Sequence, residues 1–168
     1  MGLMNEYIKK GWSAVDIENE LMRLVKLYEQ KQGAKIFVFA SAIGKPHPEI
    51  PLCMDDYYII YDMLKDSNQR NLDFYIETPG GSGEAAEEIA GFLHDHFETV
   101  RFVISGEAKS AGTILALSGH DILMTKSGSL GPIDAQVRIG RSIVSAYDYM
   151  DWINEKRTEA LKKGTINP

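Results

Sequence analysis

The stretch that decides the fold is Leu72-Asp73-Phe74-Tyr75-Ile76-Glu77-Thr78-Pro79-Gly80-Gly81-Ser82-Gly83. It begins as a β-like run and ends in a glycine turn. A helical pattern follows at once, with Ala85, Ile89, Leu93 and Phe97 at four-residue spacing. Glu84, Glu87 and Glu88 fall in its first two turns, where negative charge complements the helix dipole. About thirty positions on, the pattern recurs. Val100 to Ile104 reads as a strand and leads into Ala108-Lys109-Ser110-Ala111-Gly112-Thr113, and Thr113 to Leu117 reads as a short helix ended by Gly119.

Working outward, Ile36 to Ala40 is a short, wholly apolar run, expected of a strand covered on both faces. Gly44-Lys45-Pro46-His47-Pro48 reads as a loop, Met54 to Leu64 as a helix and Asp121 to Thr125 as a strand. Upstream, Ser13 is placed to cap a helix reaching about Gln32, with Asp16 as a short stand-in for the capping-box Glu. Its stripe is Ile17, Leu21, Leu24, Val25 and Tyr28, and Gly33 ends it. Downstream, Ser127 to Pro132 reads as a loop and Ser145 to Lys163 as a last helix. Gly164 to Pro168 reads as an open end, and an incomplete C-terminus is the expectation. The succession is α/β, and its short connections demand a mainly parallel sheet with right-handed crossovers. At 168 residues the chain suits one domain, residues 1–168, with one sizeable core.

Bulk properties exclude several classes. The net charge of −6, without a concentrated Lys/Arg stripe, argues against a nucleic-acid partner. Cys53 is the single cysteine, so no internal disulfide and no cysteine-based metal site can form. Met1 to Lys10 hold no apolar signal-peptide core, and runs such as Ile114 to Leu117 are too short to span a membrane. A cytoplasmic setting is the expectation, and neither a cofactor nor a metal is expected.

Ligands of such sheets gather at the carboxyl edge of the strands, where both glycine turns fall. Gly80 and Gly81 lack a Cβ, so a substrate carbonyl can approach their backbone closely. Ser110 lies between a strand and a helix, which is the logic of a nucleophile elbow without the G-x-S-x-G sequence. The Gly81 and Ala111 amides could then hold a tetrahedral oxyanion. The plainer alternative is that Ser110 only caps a helix and the glycines only make tight turns. Neither turn matches the phosphate-cradling patterns.

Thr78-Pro79-Gly80-Gly81, then Lys109-Ser110-Ala111-Gly112-Thr113, then Gly128-Ser129-Leu130-Gly131-Pro132-Ile133-Asp134-Ala135-Gln136, each separated by the elements above, resembles the Clp-protease/crotonase superfamily. Within it the chain is most similar to the serine dehydrogenase proteinase and signal peptide peptidase groups. The resemblance covers roughly Ile36 to Gln136. It implies a ββα superhelix, a serine nucleophile, peptide or unfolded-protein substrates and homo-oligomeric assembly. By motif, Ser110 matches the nucleophile, and Gly81 and Ala111 match the oxyanion-hole donors, with Gly80 in support.

The chain departs from the Clp pattern at the general base. The position where a Clp-type histidine is expected holds Asp134 instead. His47, His94, His96 and His120 lie where surface roles are expected. The signal-peptide-peptidase relatives use a serine–lysine dyad, with the lysine on a helix forty to fifty positions downstream. Lys156, Lys162 and Lys163 are the candidates here. Lys156 stands mid-helix beside Trp152 and Ile153, where desolvation would favour a neutral amine. Lys109 is expected to point away from the serine, and Lys126 ends a strand. The expectation is a serine peptidase using Ser110 and Lys156. The alternative is a non-catalytic structural subunit or an acyl-CoA-processing member of the same fold.

Overall fold

The structure, a computed structural model, describes residues 3–43, 51–134 and 136–163. The loop carrying His47, Ala135 and the stretch Gly164 to Pro168 lie outside the described residues, as does the side chain of Lys163. The chain forms two compact units, Met1–Gly131 and Pro132–Pro168.

In the first unit, α1 (Leu3–Lys9) and α2 (Ala14–Gln32) precede β1 (Lys35–Ala40), α3 (Met54–Leu64), β2 (Asn71–Glu77) and α4 (Gly83–His96). Then come β3 (Thr99–Ile104), β4 (Glu107–Ala108), α5 (Ala111–Leu117), β5 (Asp121–Met124) and β6 (Ser129–Leu130). The main sheet has the order β1-β2-β3-β5, and every pairing in it is parallel. Register aligns Phe37, Phe74, Phe102 and Ile122 across the strands. The three rings stack in sequence at centroid separations of 5.1 and 5.3 Å. Leu72, Ile76, Val100 and Ile104 share that face, and Ile60, Leu64, Ile89, Leu93 and Leu115 of α3, α4 and α5 close over it. Burying each such side chain contributes roughly 1.5–3 kcal/mol, which makes this layer the core.

The opposite sheet face is polar near the strand starts. Asp73, almost fully buried, receives Arg101 through both guanidinium donors at 2.9 and 2.6 Å, and the Tyr28 hydroxyl at 2.7 Å. This pins α2 to the sheet. Burial, then the Asp73 carboxylate, raises the Tyr28 phenol above its ordinary value of 10.0. The α2 N-terminus is a full capping box between Ser13 and Asp16, and Gly33 closes the helix in the left-handed region. The Ser13 hydroxyl and backbone hold the exposed Asp16 carboxyl below its usual range.

The strand β1 departs from its sequence reading. It is an edge strand, and on the face away from the core Ile36 is half-buried while Val38 is 46% exposed, so that face is only partly covered. A wholly apolar run reports burial on average and cannot say which strand lies at the edge. The loop expected at Ser127 to Pro132 contains β6, which pairs in parallel with β4.

The described histidines, His94, His96 and His120, are hydrogen-bonded. His94 Nε2 lies 2.6 Å from Ser118 O, His96 Nε2 lies 3.2 Å from Ser67 O, and His120 Nδ1 accepts from the Val100 amide at 3.1 Å. All three serve the amino edge of the sheet, away from both glycine turns.

The second unit is a hairpin of β7 (Gln136–Ile139) and β8 (Ser142–Ser145), turned at Gly140, followed by α6 (Ala146–Lys163). The described residues contain no helix long and apolar enough to cross a membrane.

Candidate active site

Two turns at the carboxyl edge are tied together backbone to backbone. The Thr78 amide donates to Glu107 O at 2.7 Å, and the Lys109 amide returns to Thr78 O at 3.1 Å. This bridge is sheet-like, so the turn after β2 and the turn before α5 cannot move independently.

Ser110 is held at φ 48° and ψ −118°, the one described non-glycine residue at positive φ. A side-chain-bearing residue there is strained by about 1–3 kcal/mol, and such strain is typical of a nucleophile elbow. Ser110 makes no side-chain cap bond to α5 and is exposed, so its hydroxyl is presented outward. Ser110 thus occupies the N-cap position of α5 without a side-chain cap bond, so capping does not account for its hydroxyl. Thr113 secures the helix behind it: its hydroxyl donates to Ala108 O at 2.6 Å and accepts the Gly131 amide at 2.9 Å. The Lys109 ammonium is occupied elsewhere, donating to Ser129 Oγ at 2.9 Å and Leu130 O at 3.1 Å. It holds β6 and turns away from Ser110, as the elbow requires.

The facing turn is equally constrained. Leu52 pairs with Gly81 as a short parallel bridge. Its amide donates to Gly80 O at 2.7 Å, and its carbonyl accepts the Ser82 amide at 2.8 Å. Gly81 has φ 151°, and a Cβ on it would collide with the Leu52 backbone. The Gly80 amide is taken by Thr78 Oγ1 at 3.2 Å. Among the described residues no hydrogen bond is made by the Gly81 amide or the Ala111 amide. The site thus offers one strained hydroxyl and two uncommitted N–H donors on turns locked to each other. That is what acyl transfer needs, with the amides free for charge that develops on a carbonyl oxygen.

The general-base candidates belong to the second unit. Lys156 lies on α6 and donates to Glu159 Oε2 at 3.2 Å. It is one-third exposed, and its neighbour Trp152 is half exposed, so α6 by itself supplies less apolar cover than its sequence suggests. Lys162 is exposed near the end of α6, and Asp134 is exposed in the segment before β7. Leu52, Thr78 and Thr113 are the positioning residues that sequence reading missed. The threonines sit inside the quoted motifs, but nothing in sequence reveals their partners. No group of three or more His, Cys, Asp or Glu side chains able to hold a metal occurs among the described residues.

A parallel sheet with an elbow serine opposite a double-glycine turn defines a Clp-like α/β protein. The chain belongs to the ClpP-like SDH-type serine proteinase family, whose model matches residues 53–162. Two uncharacterized proteins of Methanocaldococcus jannaschii are relatives. One is 27% identical over 134 residues, 75% of this chain and 46% of its own length. The other is 39% identical over 66 residues, 39% of this chain and 23% of its own length. The chain thus spans less than half the length of either. Among solved structures, a lysine-to-alanine mutant of the 1510-N membrane-bound stomatin-specific protease, in complex with a substrate peptide, is similar at 22% identity and a TM-score of 0.49. That match covers 68% of this chain and 57% of the other. A serine-to-alanine mutant of the same protease matches at a TM-score of 0.47, covering 66% and 57%.

Proposed function

We propose that this protein is a serine peptidase in which Ser110 is the nucleophile and the Gly81 and Ala111 amides form the oxyanion hole. The observation that carries the reading is the strained, outward-facing Ser110 beside two N–H groups with no partner among the described residues. Ser110 Oγ attacks the scissile carbonyl carbon, and its proton passes to a base. The carbonyl oxygen takes the negative charge and is held by the two amides. Collapse of this adduct expels the amine, which takes up a proton, and water then releases the acyl group by the same route. The substrate is a peptide or an unfolded protein segment, a reading supported by the serine proteinase family to which the chain belongs.

The base is Lys156 in this reading, as a neutral amine on α6. To act, it must leave the Glu159 carboxylate and give up its proton. Asp134 is the alternative in the same unit. The protein works as a homo-oligomer. Its support is the apolar surface on α2 and α3, where Leu21, Met22, Ile59 and Met63 are each more than half exposed.

The test is covalent labelling with a fluorophosphonate, comparing wild type with Ser110→Ala. Labelling of wild type alone supports the reading. Equal labelling of both proteins, or none of either, overturns it.

A further inference from the structure

We infer that Thr78 is a positioning residue that selects which amide of the double-glycine turn faces the substrate, its hydroxyl and its methyl having separate tasks. This rests on the oxyanion hole proposed above and adds a residue to it. Thr78 is completely buried, so its polar atom must find a partner inside the protein. It finds the Gly80 N–H at 3.2 Å. Two adjacent amides in a glycine turn can both swing toward a ligand, because glycine permits either orientation. With the Gly80 N–H engaged by Oγ1, and Leu52 holding Gly80 O and the Ser82 N–H, the Gly81 N–H is the donor left to the site.

The other branch of the same side chain faces the nucleophile turn. A Cβ built on Gly112 would strike Thr78 Cγ2. Gly112 is the second residue of α5, two positions from Ser110. The methyl therefore sets how closely α5 approaches the glycine turn, while the hydroxyl sets the turn's own orientation. One β-branched residue fixes both halves of the oxyanion hole, and the Thr78–Ala108 backbone bridge joins them. Serine would keep the hydroxyl and lose the methyl, and valine would do the reverse.

The experiment measures the rate of fluorophosphonate labelling in wild type, Thr78→Val, Thr78→Ser and Thr78→Ala. In this reaction the Ser110 Oγ–P bond forms, the P–F bond breaks, fluoride leaves and the serine proton goes to the base. Thr78→Val should label about 10- to 100-fold more slowly, the size expected when a reacting geometry is misplaced by about an ångström. Thr78→Ser, which keeps the hydroxyl but loosens the approach of α5, should label at a rate between wild type and Thr78→Val while melting about 2–4 °C lower for the lost buried methyl. If Thr78→Val does not fold, Thr78→Ser against Thr78→Ala isolates the same hydroxyl, and serine must be the faster by about tenfold. Equal rates within either pair would overturn the inference. Amide hydrogen exchange by NMR supplies a readout that needs no activity. The Gly80 N–H should be protected in wild type and the Gly81 N–H open, with Gly80 protection lost in Thr78→Val. A Gly80 amide that exchanges as freely as Gly81 in wild type also overturns it, even in a protein that never labels. Absent wild-type labelling with the expected exchange pattern would instead sink the peptidase reading and leave the role of Thr78 in the turn standing.

Discussion

Gly80 stands directly against Ser110: a Cβ built on the glycine would come within 2.7 Å of Ser110 Cβ and 2.7 Å of Lys109 O. The two turns are therefore in van der Waals contact as well as hydrogen-bonded, and the serine's position depends on the absence of a side chain opposite. Gly80 also has φ 102°, a region that other residues rarely enter. Gly80→Ala is expected to lose about 2–4 kcal/mol from strain and overpacking together. Urea unfolding checks this, and a loss below about 0.5 kcal/mol would contradict the close packing of the two turns.

Ser110→Gly should do the opposite to stability. Glycine relieves the positive φ of 48°, and no side-chain cap bond is lost. The expected gain is about 1 kcal/mol after glycine's extra chain entropy is subtracted, or roughly 2–4 °C in melting temperature. Fluorophosphonate labelling should vanish in the same variant. A lower melting temperature would show that Ser110 is not strained.

Lys156→Met keeps the aliphatic stem and removes the amine. Peptide hydrolysis should fall by about 10²- to 10⁴-fold, the usual contribution of a general base. Lys162→Met should leave the rate within about twofold. The reverse pattern would move the base to Lys162. Full activity in both variants would remove these two lysines from the mechanism and make Lys163→Met and Asp134→Asn the variants to measure.

The Tyr28 phenol carries a pH signature. Its folded-state pKa is raised by burial and by Asp73. A raised pKa means that its stabilising effect is complete below the unfolded value of about 10 and is lost as pH rises through the higher folded value. Melting temperature should therefore decline above about pH 10, and Tyr28→Phe should decline less steeply over that interval. Parallel curves for the two proteins would mean that the Tyr28–Asp73 contact does not form.

Self-association is expected from the exposed apolar residues of α2 and α3. Light scattering at micromolar concentration should report a multiple of 18.8 kDa. A value that stays at the single-chain mass across the concentration range would refute the homo-oligomer.

Local signals determined much of this protein. The alternation of apolar runs and helical stripes defines β1, α3, β2, α4, β3 and β5, because burial on one face requires periodicity that composition cannot hide. Ser13 and Gly33 mark the ends of α2 by chemistry that acts within four residues. The turns at Ser110 and at the double glycine were likewise legible, since each is encoded by its own few residues.

Tertiary structure decided what depends on partners distant in sequence. Two-residue strands such as β4 and β6 have no period of their own and form only because Glu107–Ala108 lies beside Ser129–Leu130 in the fold. Val38 is exposed while Ile36 on the same face is half-buried, a difference set by what packs over the sheet rather than by the strand's own sequence. Leu52 enters the site through a backbone bridge to Gly81, to which its own side chain gives no clue. Thr78 and Gly112 are each unremarkable residues, thirty-four positions apart, whose fit exists only after β2 and α5 are packed. The turns that carry Ser110 and the double glycine are written locally, and long-range packing decides how they lie against each other.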